Sequence, residues 1–471
     1  MNRFPSLAFA LPLLAFAVAQ PSAGAPVAQE EGFVFEVGTE AYVYAFPMMM
    51  MEMTRRVSTN VESPIGVAAP MNQFAHLRGF PDHNFREVVR PNVDTLYSIV
   101  WFDVSEEPLV LSIPEGTERY HMMPMLDMWT DVFAAPGTRT TGSAGGHFAI
   151  FGPRWSGELP AGVQGIRSPT SMGWIIGRTK TNGSGDYETV HAIQDGYRLA
   201  PLSRFGRPAS APPAGRVDAS FDMGTPPLAQ VERMSAEDYF ELFAELLVDN
   251  PPHEMDWPIL ARLRRIGFVA GESFDFSALD AGVGEALERG ARRGQELIEQ
   301  QAEKAGTRVN GWSIMFDGMG TYGAAYLQRA NVARIGLGAN LVEDALYPMT
   351  FVDNHGEPYD GSRSYRLHLA AEALPPVQGF WSLTVYDAEM YLAENPIGRY
   401  AIGDRDELSF NEDGSLDILV QHEPPGEDRR SNWLPSPPGR FDMVLRLYWP
   451  RREVLTGEWV PPAVTRIDER R

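Results

Sequence analysis

The chain has 471 residues, 44% of them hydrophobic and 22% charged, with 62 Asp and Glu against 40 Lys and Arg, a net charge of −22, and no Cys. That length allows two to four domains, each burying its own core. The acidic surplus, spread along the chain, argues against nucleic acid or anionic membrane surfaces as partners, and the lack of Cys removes disulfide frameworks, thiolate zinc sites, iron–sulfur clusters and cysteine nucleophiles.

Residues 1–19 place Arg3 before an apolar run from Leu7 to Ala19, too short for a bilayer core that needs about 20 residues. They read as a secretory signal peptide cleaved after Ala17-Val18-Ala19, so the mature protein is expected to be periplasmic or secreted, with no membrane contact after cleavage. From Gly38 to Arg56 the apolar spacing predicts a helix, with Pro47 bending it or marking its start. Residues 60–91 follow as a long loop. From 94 to 199, short apolar runs at 96–102, 109–113, 120–126, 147–151 and 174–177 alternate with turn signals, the pattern of a β-sandwich. Residues 33–202 therefore form a first unit of helix plus sandwich, and the Pro-rich stretch 203–218 reads as a linker.

Residues 219–338 predict a mostly helical insert. Ser235 and Asp238 form a capping-box start for an apolar stripe at Phe240, Phe243, Leu246 and Leu247, followed by helices around Leu260 and Leu297. Residues 339–471 return to β texture. The fold class expected is α+β, with two related antiparallel, jelly-roll-like β-sandwich domains, an N-terminal helix and a central helical insert.

The two β regions share an internal repeat. Asp94, Leu96, Tyr97 and Asp103 recur as Asp344, Leu346, Tyr347 and Asp353 at an offset of 250, and Asp127, Pro136 and Arg139 recur as Asp387, Pro396 and Arg399 at 260. This spacing points to duplication of one module. On the architectural reading, Arg139 and Arg399 each close an ion pair with an Asp of their own domain.

The block Arg90-Pro91-Asn92-Val93-Asp94-Thr95-Leu96-Tyr97, with Leu126-Asp127-Met128-Trp129-Thr130, Gly152-Pro153-Arg154-Trp155 and Ser168-Pro169-Thr170, resembles domain-of-unknown-function family 1254. The block 375–387, with Asn395-Pro396, Asp413-Gly414-Ser415, Asn432-Trp433-Leu434-Pro435 and Trp459-Val460-Pro461-Pro462, resembles its usual C-terminal companion, family 1214. The resemblance implies an exported bacterial protein with β-rich terminal domains around a helical segment. It implies no catalytic residue.

Nucleophile elbows, P-loops, dinucleotide fingerprints and zinc-binding helices do not occur in the sequence. His76, Asp82 and His83 share the long loop and are weighed as a metal site against simple solvation. If residues 94–102 form a strand, Asn92 and Asp94 lie at its polar entry beside Tyr97, and Asp127, Trp129 and Thr130 follow a neighbouring strand that could converge on the same rim. Carboxylates and amides beside aromatic rings fit a small polar ligand, including a carbohydrate. The same carboxylates suit Ca²⁺; otherwise no cofactor is expected. They also suit hydrolysis, with Asp94 and Asp127 as acid and base and Arg139 stabilising negative charge. Trp433, in an apparent loop, is a further ligand-contact candidate. Three readings stay open at this point: binding of a small polar ligand in an inter-domain cleft, carboxylate-dependent hydrolysis with or without a metal, and a scaffold that assembles as a homo-oligomer.

Overall fold

The computed structural model describes residues 27–467 apart from 87, 116–117, 209–210 and 303–305. The expected signal peptide lies outside the described residues. Helix α1 (Val27–Thr59) extends beyond the expected segment at both ends and carries Pro47 in its interior. From Ala41 to Met53 nearly every side chain is buried, as in a helix enclosed by neighbours on all sides. Its chief neighbour is a helix of the central insert, not the sandwich that follows it in sequence.

The first β module has ten strands: β1 (Ala75–His76), β2 (Thr95–Asp103), β3 (Leu109–Ile113), β4 (His121–Met122), β5 (Met125–Asp127), β6 (Val132–Ala134), β7 (Gly146–Phe151), β8 (Val163–Arg167), β9 (Met172–Lys180) and β10 (Arg198–Pro201), with helix α2 (Tyr187–Gly196) before the last. One sheet has the order β1-β2-β9-β5-β6, with β4 also on β9, and the other the order β10-β3-β7-β8. Val100, Phe102, Leu109, Leu111, Phe148, Ile150 and Ile175 meet between them, each fully buried apolar side chain contributing about 1.5–3 kcal/mol. Alternation along β2 turns Tyr97, Ile99 and Trp101 to the other face, where they join the helical core.

That core comes from α1 together with α3 (Pro227–Glu232), α4 (Ala236–Leu246), α5 (Trp257–Leu263), α6 (Ala281–Ala302) and, after strands β11 (Thr307–Val309) and β12 (Trp312–Ile314), α7 (Tyr326–Gly336). The Ser235 side chain caps α4 through Asp238 N–H, as the capping box implied. Within the Pro-rich stretch, residues 213 and 215 are held to the first module: Gln73 Nε2 donates to Pro213 O and Gly215 N to Glu62 O.

The second β module comprises β13 (Ala345–Leu346), β14 (Met349–Thr350), β15 (Ser364–Leu369), β16 (Val377–Asp387), β17 (Ala401–Gly403), β18 (Leu416–Gln421), β19 (Trp433–Pro435), β20 (Phe441–Pro450) and β21 (Thr465–Ile467). Its sheets run β11-β12-β14-β20-β16-β17, with β13 also on β20, and β19-β18-β15-β21. The duplication is visible in the register. Thr95 faces Lys180 as Ala345 faces Tyr448, and Asp127 faces Gly173 as Asp387 faces Phe441. In each module the four-stranded sheet contains one parallel pair, β7 with β8 and β18 with β19. Even the turns agree: Asp127 Oδ1 accepts the N–H of Trp129 and Asp131 and leaves Thr130 at φ 71°, while Asp387 Oδ1 accepts those of Glu389 and Tyr391 and leaves Met390 at φ 68°.

Candidate functional site between the modules

The segment Arg90–Asp94 is a clasp on the second module. Arg90 pairs with Asp442, Pro91 O accepts from Tyr386 Oη, Asn92 Nδ2 donates to Tyr448 Oη, Val93 O accepts from Arg405, and Asp94 lies 2.8 Å from Arg405 Nη1. That last contact meets ion-pair distance without the alignment of a hydrogen bond. Ser382 Oγ supplies a true hydrogen bond to Asp94 Oδ2 at 2.6 Å.

The expectation that each module closes its own Asp–Arg pair is corrected here. Arg139 binds Asp344 of the other module through Nε at 2.7 Å and Nη2 at 2.9 Å. Its structural counterpart is Arg405, not Arg399, because Thr138 N donates to His121 O as Asp404 N donates to Trp381 O. Arg399 instead donates to the carbonyls of Arg430, Ser431 and Trp433. Six extra residues in the second module's turn displaced the alignment. The result is reciprocal, Asp94 to Arg405 and Asp344 to Arg139, as in two copies that exchange equivalent charges across a shared face.

Asp94 and Asp127 are not a pair. Asp94 O accepts from Thr181 N and Asp127 faces Gly173, at opposite ends of β9, so about 25 Å of strand lies between them at about 3.3 Å per residue. Paired-carboxylate hydrolysis needs roughly 10 Å or less. Asp127 is fully buried and bonded to His253 Nε2 at 2.6 Å as well as to backbone N–H. His253 Nδ1 faces Asp131 at 3.4 Å, and Asp131 also takes the fully buried Arg329 at 3.2 Å. This knot ties the first module to the helices. Trp129 belongs to it as packing: its ring lies against Tyr44 and Phe243, and Nε1 donates to Pro251 O. Thr130 is buried with its strained backbone in the same turn. Trp433 is not in a loop. It lies in β19, 1% exposed, with Nε1 on Gln421 O.

Burial pulls the His253 pKa down, but the hydrogen bond and charge of Asp127 outweigh it, and the imidazole ends above its usual value. Burial raises Asp131 to about 6 in spite of Arg329. Of the loop histidines, His76 bonds Ser98 and His83 bonds Tyr400. Among the described residues no group of three or more His, Asp or Glu could hold a metal ion.

Asn92 and Tyr97 do meet at a cavity, of about 280 Å³, lined on one side by the loop that follows α7. Tyr97 and Tyr347 line it as module counterparts, and so do Arg178, which faces Tyr97 in register on β9, and Arg446, which lies on β20 one residue before Leu447, the partner of Leu346. The guanidinium carbons lie 5.3 Å from the Tyr97 ring centre and 5.9 Å from that of Tyr347. Arg178 Nη1 donates to Asn340 Oδ1, and Arg446 donates to Thr384 Oγ1 and Arg90 O. Asn340 Oδ1 also accepts from Tyr347 Oη. Gly338 lets the loop approach β9: at its φ of 86°, a Cβ would fall 2.5 Å from Ile176 Cδ1. A wider, open groove of about 940 Å³ also touches both modules, but there Arg119 is already engaged by Asp186.

Sequence reasoning missed Arg178, Arg446, Arg405, Asn340 and His253. The motif Gly-x-Arg at 137–139 and 403–405 was the available signal for Arg405. Arg178 and Arg446 are the only residue shared between β9 and β20 in the aligned register, too little to find unaided.

The chain matches two family models in tandem, each described as a protein of unknown function: DUF1254 over residues 71–201 and DUF1214 over residues 344–452. These ranges contain most of the strands of the two β modules. A crystal structure of the VPA0106 protein from Vibrio parahaemolyticus is similar, with a TM-score of 0.71 and 23% identity over 92% of this chain and all of that one, which supports the fold alone. A putative uncharacterized protein from Burkholderia cenocepacia aligns over 94% of this chain and 96% of that one with a TM-score of 0.43 and 10% identity. No curated protein matches. No helix among the described residues is long and apolar enough to cross a membrane.

Proposed function

For a chain that carries domains of unknown function 1254 and 1214 in tandem, we propose the role of an exported protein that binds a small polar molecule in the cavity between its two β modules. Export rests on the leader-like residues 1–19. Binding rests on one observation, that counterpart side chains of both modules, Tyr97 with Tyr347 and Arg178 with Arg446, converge with Asn92 and Asn340 on one partly open cavity. Such a space, mostly apolar with a few convergent polar groups, has the make-up of a small-ligand site. None of the described residues lining it is a carboxylate, so binding is preferred to acid–base hydrolysis.

The test is a thermal-shift screen of sugars, polyols and small acids on the mature protein, repeated on Ala339→Trp, which fills the cavity wall. A ligand specific to the folded state raises the Tm. The reading expects a shift in the parent and none in the variant. A ligand whose shift survives Ala339→Trp would place binding elsewhere and defeat it.

A further inference from the structure

Three arginines line the cavity; Arg90 is paired with Asp442, while Arg178 and Arg446 make no ion pair, Arg446 feeling Asp94 only at longer range. Arg178 is 7% exposed and Arg446 5%. Every acceptor that either one hydrogen-bonds is neutral: an amide, a hydroxyl or a backbone carbonyl. Arg178 Nε is buried with no hydrogen-bond partner. The carboxylates at the same interface are already engaged, Asp94 with Arg405, Asp344 with Arg139 and Asp442 with Arg90. Guanidinium stays charged at any physiological pH, and a buried charge without a counter-charge is strongly unfavourable.

The remaining wall is apolar, made by Met315, Met319, Val332, Ile335, Leu337 and Val342. One side of the cavity thus calls for an anion and the other excludes a second polar group. A volume of about 280 Å³ falls at the small end of ligand pockets.

We propose that the ligand is a small organic acid, its carboxylate between Arg178 and Arg446 and its apolar body against the α7 side of the cavity. This deepens the binding reading above and rests on it. The planar fork of Arg matches a carboxylate in geometry as well as charge. A phosphate monoester offers the same anion chemistry with a bulkier, more hydrated head, and a neutral polyol leaves both charges uncompensated.

The experiment is calorimetric titration of the mature protein with hexanoate, hexyl phosphate, 1-hexanol and glucose. It is repeated on Arg178→Met and on Arg154→Met, an exposed arginine outside the cavity, with circular dichroism and Tm confirming each fold. Expected is hexanoate binding that weakens at least tenfold in Arg178→Met and is unchanged in Arg154→Met, with hexanol and glucose weaker than hexanoate. Hexyl phosphate binding more tightly than hexanoate would overturn the carboxylate assignment. Hexanol or glucose binding as well as hexanoate would overturn the acid while leaving the cavity as a binding site. Binding of none of the four, together with an empty thermal-shift screen, would remove both. Should Arg178→Met fail to fold, Arg178→Lys supplies the comparison, since it keeps charge but loses the fork and is expected to weaken hexanoate less than neutral replacement of Arg446 by Met.

Discussion

Two sets of arginines occupy the face between the β modules, and they differ in one respect. Arg139 and Arg405 each reach across to a buried aspartate of the other module. Arg178 and Arg446, more deeply buried and equally duplicated, hydrogen-bond only neutral groups. The first set accounts for itself, because each charge is matched within the chain. The second does not, and a residue pair kept in both copies yet left without an ion pair points outside the protein. Duplication alone therefore does not separate architecture from function. Charge accounting does.

The contrast can be broken from its structural side first. Arg405→Ala strands Asp94, fully buried, with only hydroxyl partners, and is expected to cost about 3–5 kcal/mol, the usual loss when one member of a buried pair is removed. Denaturant unfolding measures it, and a loss below about 1 kcal/mol would deny the pair its role in joining the modules. His253→Ala is expected to cost less, about 1.5–3 kcal/mol, because backbone N–H groups still hold Asp127.

The same knot gives a pH dependence. With Asp131 raised to about 6, the folded state holds a proton that the unfolded state has released, so stability falls as pH rises from about 4 to 6. His253, raised above its usual value, adds stability that is complete below about 6.5 and fades as pH climbs through the folded pKa. Both slopes have one sign. Half-buried His76 and buried His121, both lowered by desolvation, slope the other way, so the check is a difference: relative to the parent, Asp131→Asn should lose a falling contribution to Tm between pH 4 and 6. An unchanged slope in the variant would assign the effect elsewhere.

The smallest effect sharpens the contrast most. Arg178→Met, measured without ligand, is expected to leave stability unchanged or higher, since replacing an uncompensated buried charge by an apolar side chain of similar size removes a penalty. A loss comparable to that of Arg405→Ala would make the two sets equivalent and end the argument for a ligand anion.

Helices α1, α4, α5 and α6, the longer strands of the first module and the duplicated plan were legible in the sequence because apolar period and repeated spacing are local signals. Tyr97 with Tyr347 and Asp127 with Asp387 fall in equivalent places. What failed was long-range. Asp127 finds its partner 126 residues away in His253, so the apparent rim with Trp129 is a packed seam against helices α1 and α4. Trp433 looked like a loop residue because Pro and charges flank it, yet a parallel ladder with β18 buries it. Helix α7 left no clear stripe, as it buries Arg329 and Asn331 among its apolar residues. Of the residues expected at the site, Asn92 and Tyr97 line the cavity and Asp94 stands behind it in an ion pair.

The most direct test is a crystal structure of the mature protein with 6-bromohexanoate, read by the anomalous signal of bromine. The account predicts one strong peak against Ile335 and Leu337, with the carboxylate between Arg178 and Arg446. A peak in the open groove near Lys180 instead, or none in the cavity at a concentration that saturates the thermal shift, would contradict it.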